Sequence, residues 1–106
     1  MGFLDFLKGP DVDRGVKEFR ETPGAVLLDV RTPQEYQEGH IPGSVNVPLQ
    51  SLGREGTVPA GKDAPLFVCC HSGARSAQAV RLLARMGYPN VKNIGGIAAY
   101  TGKVER

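Results

Sequence analysis

Two cysteines stand side by side, Cys69 and Cys70, closing the apolar run LFVCC and followed at once by His71-Ser72-Gly73-Ala74-Arg75-Ser76. A cysteine that ends a buried strand and feeds through a short loop into a helix sits among backbone N–H groups with no ladder or helical partner. Gly73 is free to take a positive φ, so the loop over residues 71–76 is expected to curl with its N–H groups aimed at the sulfur. The positive end of the following helix adds roughly half an elementary charge. Arg75 adds a full charge. All three favour thiolate over thiol, so the Cys70 pKa is predicted to fall below the unperturbed ~8.5. A cradle for a thiolate also fits its anionic products, whether persulfide, thiosulfate adduct or phosphate ester. The chemistry requires that the sulfur be reachable from solvent. Neighbouring strand residues face opposite ways, so Cys69 is predicted to turn into a packed layer. A disulfide between adjacent cysteines would be strained.

The elements that must position this loop are legible on either side of it. Residues 66–70 are too short for a helix and read as a buried strand, and residues 25–30 (AVLLDV) repeat the pattern, ending in Asp29-Val30-Arg31. Thr32, Pro33 and Glu35 fit an N-cap, a first-turn proline and a capping box, with Gly39 as the C-cap. Ser44 to Val47 reads as a short strand, Leu49 to Leu52 as a turn of helix, and residues 53–65 as a loop. After the cysteine loop, Ala77, Val80, Leu83, Ala84 and Gly87 recur at helical spacing, with Ser76 as the simplest cap. Val91 to Ile94 reads as another strand, Gly95-Gly96 as a turn and Ile97 to Tyr100 as a last helical turn. Near the start, Val12, Val16 and Phe19 lie on one face of a helix weakened by Gly15. Alternating strands and helices predict an α/β fold with a mostly parallel sheet and helices on both faces. Ligands in such sheets sit beyond the carboxyl ends of the strands, which singles out residues 29–31 and 70–76.

With 106 residues, 41% hydrophobic and 23% charged, the chain suits one domain with a real core and excludes a disordered tail, a collagen-like repeat or a disulfide scaffold. No stretch approaches the ~18 apolar residues of a membrane span. A net charge of +2 gives no case for nucleic acid, but its distribution is uneven. Residues 1–60 carry six Lys/Arg against nine Asp/Glu, and residues 61–106 carry seven against two, consistent with a small-anion site in the second half. The opening MGFLDFLKGP is not a secretory signal. It departs from a myristoylation site at Phe6, and its apolar residues Phe3, Leu4, Phe6 and Leu7 are expected to dock on their own domain. The expected compartment is the cytoplasm, where thiols stay reduced.

Three segments in this order, LLDVRTPQEYQEGHIPGSVNVPL, FVCCHSGARSAQAVRLLARMGY and VKNIGGIAAY, resemble the single-domain rhodaneses. The likeness leaves residues 1–10 as an extension and 11–106 as the domain, with Tyr100 where the family often has Trp. It implies a sheet of about five strands and a double-displacement sulfurtransferase needing no metal or organic cofactor. Cys70 would take sulfur from a small anionic donor such as thiosulfate. It would pass that sulfur to cyanide or a thiol, a thioredoxin-like protein among the candidates. His71, Ser72, Gly73, Ala74, Arg75 and Ser76 would form the anion loop. Arg75 would hold the donor's oxyanion or brace the loop, and Asp29 and Arg31 would hold loops in place. His40 reads as a hydrogen-bonded loop histidine, and His71 as a group able to tune the site's charge.

A rival lies one residue away. Counted from Cys69, the loop is C-x5-R, the signature of Cdc25-like phosphatases and related arsenate reductases on the same fold. The Ser72-Gly73-x-Arg75-Ser76 run matches the rhodanese loop only with Cys70 first. A third class is a persulfide carrier or binding module that loads sulfur without turnover.

Overall fold

The computed structural model describes residues 10–106. The apolar N-terminal residues read as docking on the domain lie outside that range. Helix α1 (Val12–Glu21) starts at Asp11, whose carboxylate accepts from the Arg14 N–H at 3.3 Å. Strand β1 (Val26–Asp29) leads into α2 (Pro33–Glu38), where the expected capping box forms. Thr32 Oγ1 accepts from the Glu35 N–H at 3.2 Å, and Glu35 Oε1 accepts from the Thr32 N–H at 3.0 Å. Strand β2 (Ser44–Asn46), a 3₁₀ turn (Leu49–Ser51) and a long loop precede β3 (Leu66–Cys70). Helix α3 (Ala74–Arg85), β4 (Val91–Gly96) and a 3₁₀ turn (Ile97–Ala99) complete the order.

All strand pairs are parallel, in the order β2-β1-β3-β4. The sheet has four strands among the described residues, in keeping with the about five implied by resemblance. Alternation along the two central strands builds a core on each face. Leu28, Val68 and Cys70 face Ala79 and Leu83 of α3, whereas Leu27, Phe67 and Cys69 face Val12 and Val16 of α1. Helices therefore cover both faces, as predicted. Gly15, which weakens α1 on paper, has a packing reason: a Cβ there would lie 2.4 Å from Ile94 Cβ.

Two boundaries differ from expectation, and both bear on the cysteine loop. Helix α3 begins at Ala74 with Gly73 as its N-cap, so Ser76 lies inside the first turn, not at the cap. Gly95 and Gly96 belong to β4 and are not a turn, because they pair with Cys69 and Cys70 across a register shift that skips Ile94. A bulge of this kind bends a strand and re-aims side chains. Its neighbour in β4 is Asn93.

Candidate active site

Only residues 71–73 separate the end of β3 from the start of α3. Gly73 makes so tight a turn possible with φ +103°, a conformation open to glycine. Its N–H then donates to Cys70 Sγ at 2.9 Å. The Ser76 hydroxyl stands 3.5 Å from the same sulfur. Burial pushes the Cys70 thiol up, but hydrogen bonds from the Ser76 hydroxyl and from the N–H groups of Ser76, Gly73 and Ser72 outweigh it. The net shift is below the ordinary thiol value.

Cys69 has the opposite surroundings. It is wholly buried among Val12, Val16, Leu27, Ile41, Phe67 and Ile94, and burial, with the nearby Asp29 carboxylate, drives its pKa far upward. A thiol in that position is no nucleophile near neutral pH. The phosphatase register, which would require Cys69 to open the loop, does not fit this geometry.

The remaining predicted residues divide by what they touch. Arg75 does not extend freely toward an incoming anion. Its Nη1 and Nη2 donate to Glu35 Oε1 and Oε2 at 2.6 and 2.9 Å, tying the first turn of α3 to α2. The bridge holds the Glu35 carboxyl down at about 2. Asp29 and Arg31 form a buried pair, with Arg31 Nη2 2.8 Å from Asp29 Oδ2 and 2.7 Å from the Gly39 carbonyl. The pair thereby ties the end of β1 to the Gly39 turn. His40 stacks on Tyr36 at 3.8 Å, its Nδ1 lying 2.8 Å from the Tyr36 carbonyl, and His71 is exposed. Ser72 is exposed beside His71, and Ala74 opens α3.

One expectation fails. The sulfur was to be reachable from solvent, yet Cys70 is only 1% exposed. The 71–73 turn folds over it, and β4 presses on that turn: a Cβ at Gly96 would lie 2.2 Å from the His71 carbonyl oxygen. An open hollow of about 540 Å³ is lined by His71, Ser72 and Gly73 of this turn, with Asn93 and Gly96 of β4, but Cys70 does not line it.

Two site residues escaped the sequence reading. Glu35 was legible as a capping-box acid but not as the partner of Arg75, forty positions away. Asn93 accepts from the Ser76 hydroxyl at 2.7 Å and from the Gly95 N–H at 2.9 Å through the same Oδ1. Its signal was an asparagine beside a Gly-Gly pair in an otherwise ordinary strand, a composition that marks bulges.

A rhodanese-like domain model matches residues 14–103. The chain belongs to the rhodanese-like family. Thiosulfate sulfurtransferase PspE of Escherichia coli is 39% identical over 71 residues, 66% of this chain and 68% of that protein. A Bacillus subtilis protein described as a putative sulfur carrier is 38% identical over 80 residues, 74% of this chain but 43% of the relative's own length. Among solved structures, "rhodanese with anions from E. coli" superposes with a TM-score of 0.69 at 33% identity, covering 77% of this chain and 98% of that one. The rhodanese fold thus agrees with the α/β sheet described above, and the relatives place the chain in a sulfurtransferase family. No helix among the described residues is long and apolar enough to cross a membrane.

Proposed function

We propose that this rhodanese-like domain, residues 11–106, is a cytoplasmic sulfurtransferase that carries sulfane sulfur as a persulfide on Cys70. The observation that carries this reading is the Gly73 N–H directed at Cys70 Sγ from 2.9 Å, in a loop that lowers the thiol's pKa. The Cys70 thiolate attacks the outer sulfur of thiosulfate or a similar small anionic donor. The donor's S–S bond breaks and sulfite leaves with the electron pair, while a new S–S bond joins that sulfur to Cys70. Cyanide or a thiol, for instance on a thioredoxin-like protein, then attacks the outer sulfur and Cys70 leaves as thiolate. The N–H groups of the 71–76 loop act as an anion hole in both steps. Arg75 contributes by bracing the loop through Glu35, and Asp29 with Arg31 fixes the neighbouring strand end. Because Cys70 is 1% exposed, attack requires the site to open to the donor.

Intact-mass measurement after mixing with thiosulfate tests the proposal. The wild-type chain gains one sulfur atom, roughly 32 Da. Cys70→Ser abolishes the gain, and Cys69→Ser keeps it. The opposite pattern, or dominant hydrolysis of aryl phosphates, overturns the assignment of Cys70. Loading without turnover by cyanide identifies a carrier, the activity that the Bacillus subtilis relative's name describes.

A further inference from the structure

The Ser76 hydroxyl has one proton and three acceptors within reach. Cys70 Sγ lies at 3.5 Å, the Gly73 carbonyl at 3.0 Å and Asn93 Oδ1 at 2.7 Å. The orientation of the Asn93 amide is set by the strand, since its oxygen also accepts from the Gly95 N–H at 2.9 Å, the donor next to the β4 bulge. Its nitrogen then faces the Gly73 carbonyl at 3.4 Å. Asn93 thus contacts two of the residues whose groups reach the Cys70 sulfur, Gly73 and Ser76, without contacting the sulfur itself.

We propose that Asn93 is a positioning residue that holds the proton of Ser76 while Cys70 is a thiol and releases it to the sulfur when Cys70 ionises. In the thiol form, the Cys70 S–H donates to Ser76 Oγ and the hydroxyl donates onward to Asn93 Oδ1. In the thiolate form the hydroxyl rotates and donates to the sulfur, leaving Oδ1 with the Gly95 N–H. The Cys70 S–H bond breaks heterolytically and its proton passes to solvent, while Ser76 keeps its own proton throughout and only rotates. The strength of Asn93 as an acceptor therefore sets how readily Ser76 turns to the sulfur. The inference rests on Cys70 being the reactive thiol.

The other charged or titratable side chains around the sulfur come from other elements: Arg75 with Glu35 behind it, the Asp29–Arg31 pair ending β1, Cys69 next to it, and His71 in the turn. From β4 the site receives only uncharged groups, Asn93 and the glycines, and Lys92 pairs with Glu18 at 2.8 Å. Asn93→Asp consequently adds a charge and a stronger acceptor where neither exists. The pH dependence of iodoacetamide alkylation of Cys70, followed by intact mass, reads the effect. Asn93→Asp is expected to raise the midpoint by about one pH unit, a tenfold slower reaction below it. In a Ser76→Ala background the same change is expected to move the midpoint by less than half as much, because the hydroxyl that transmits it is gone. An unmoved midpoint, or an equal shift with and without Ser76, overturns the proposal.

A second measurement needs no variant. The side-chain amide resonances of Asn93 in the wild-type protein should titrate with the same midpoint as Cys70 alkylation and stay fixed in Cys70→Ala. Amide signals that ignore Cys70 ionisation refute the relay even if Asn93→Asp does not fold. Neither readout involves sulfur transfer, so failure of thiosulfate to load Cys70 would count against the sulfurtransferase reading alone.

Discussion

Glu35→Gln probes the bridge that braces the cysteine loop while keeping the helix cap. Glutamine serves a capping box as well as glutamate does, so the Thr32 contacts survive on the oxygen, while the charge opposite Arg75 and the acceptor for its Nη2 are lost together. The Glu35 carboxyl is lowered from 4.5 to about 2, mainly by its hydrogen bonds from Arg75 and then by the Thr32 N–H. A shift of that size corresponds to roughly 3 kcal/mol before screening. Both side chains are about one-third exposed, at 35% and 32%, and Thr32 accounts for part of the shift. Solvent screening reduces such a pair substantially, so a loss of ~1 kcal/mol in Glu35→Gln at pH 7 is the working value. A depressed carboxyl contributes stability above its unfolded pKa and loses it as pH falls through the folded value. The gap between wild type and Glu35→Gln should therefore be full at pH 5 and above, and close between about pH 4.5 and 2. Urea unfolding followed by circular dichroism at pH 7, 5, 3 and 2 measures it. A gap of the same size at pH 2 and pH 7, or none at pH 7, would refute the electrostatic account of the bridge.

Two further substitutions probe what surrounds the loop. Gly96→Ala places a Cβ 2.2 Å from the His71 carbonyl oxygen and 2.6 Å from Ser72 Cα, contacts that the backbone must move to relieve. The expected result is at least a tenfold loss of Cys70 alkylation rate in a chain that still melts cooperatively, and an unchanged rate would show that β4 does not shape the turn. Arg31→Met leaves the buried Asp29 carboxylate unpaired, and removal of one partner from such a pair typically costs ~3–5 kcal/mol. Chemical unfolding should show that loss near neutral pH, and a cost under ~1 kcal/mol would mean that water reaches Asp29.

The parts of this fold that the sequence announces are those governed by neighbours along the chain. The runs AVLLDV and LFVCC are strands because continuous apolar residues suit a sheet covered on both faces. Thr32, Pro33 and Glu35 start α2 because capping depends on residues three apart. The opposite facing of Cys69 and Cys70 follows from strand alternation alone, whereas the choice of Cys70 rests on the Ser72-Gly73-x-Arg75-Ser76 run that follows it. What could not be read depends on distant partners. The bridge from Arg75 to Glu35 and the contact from Ser76 to Asn93 join segments 40 and 17 residues apart. Gly95-Gly96 looks like a turn by composition, but it is strand because the close approach of the 71–72 backbone leaves no room for side chains. Ser76 looks like a cap because helical periodicity resumes there, whereas the αL geometry of Gly73 starts the helix sooner. The near-complete burial of Cys70 likewise arises from the turn folding back, which no local pattern encodes.

The two thiols of this chain are neighbours in sequence and strangers in space, one on each side of a single sheet. These 106 residues hold no third cysteine, so under the proposed persulfide chemistry no resolving thiol lies within them. On that reading a loaded sulfur waits for an incoming molecule, and its lifetime falls as the concentration of that collector rises.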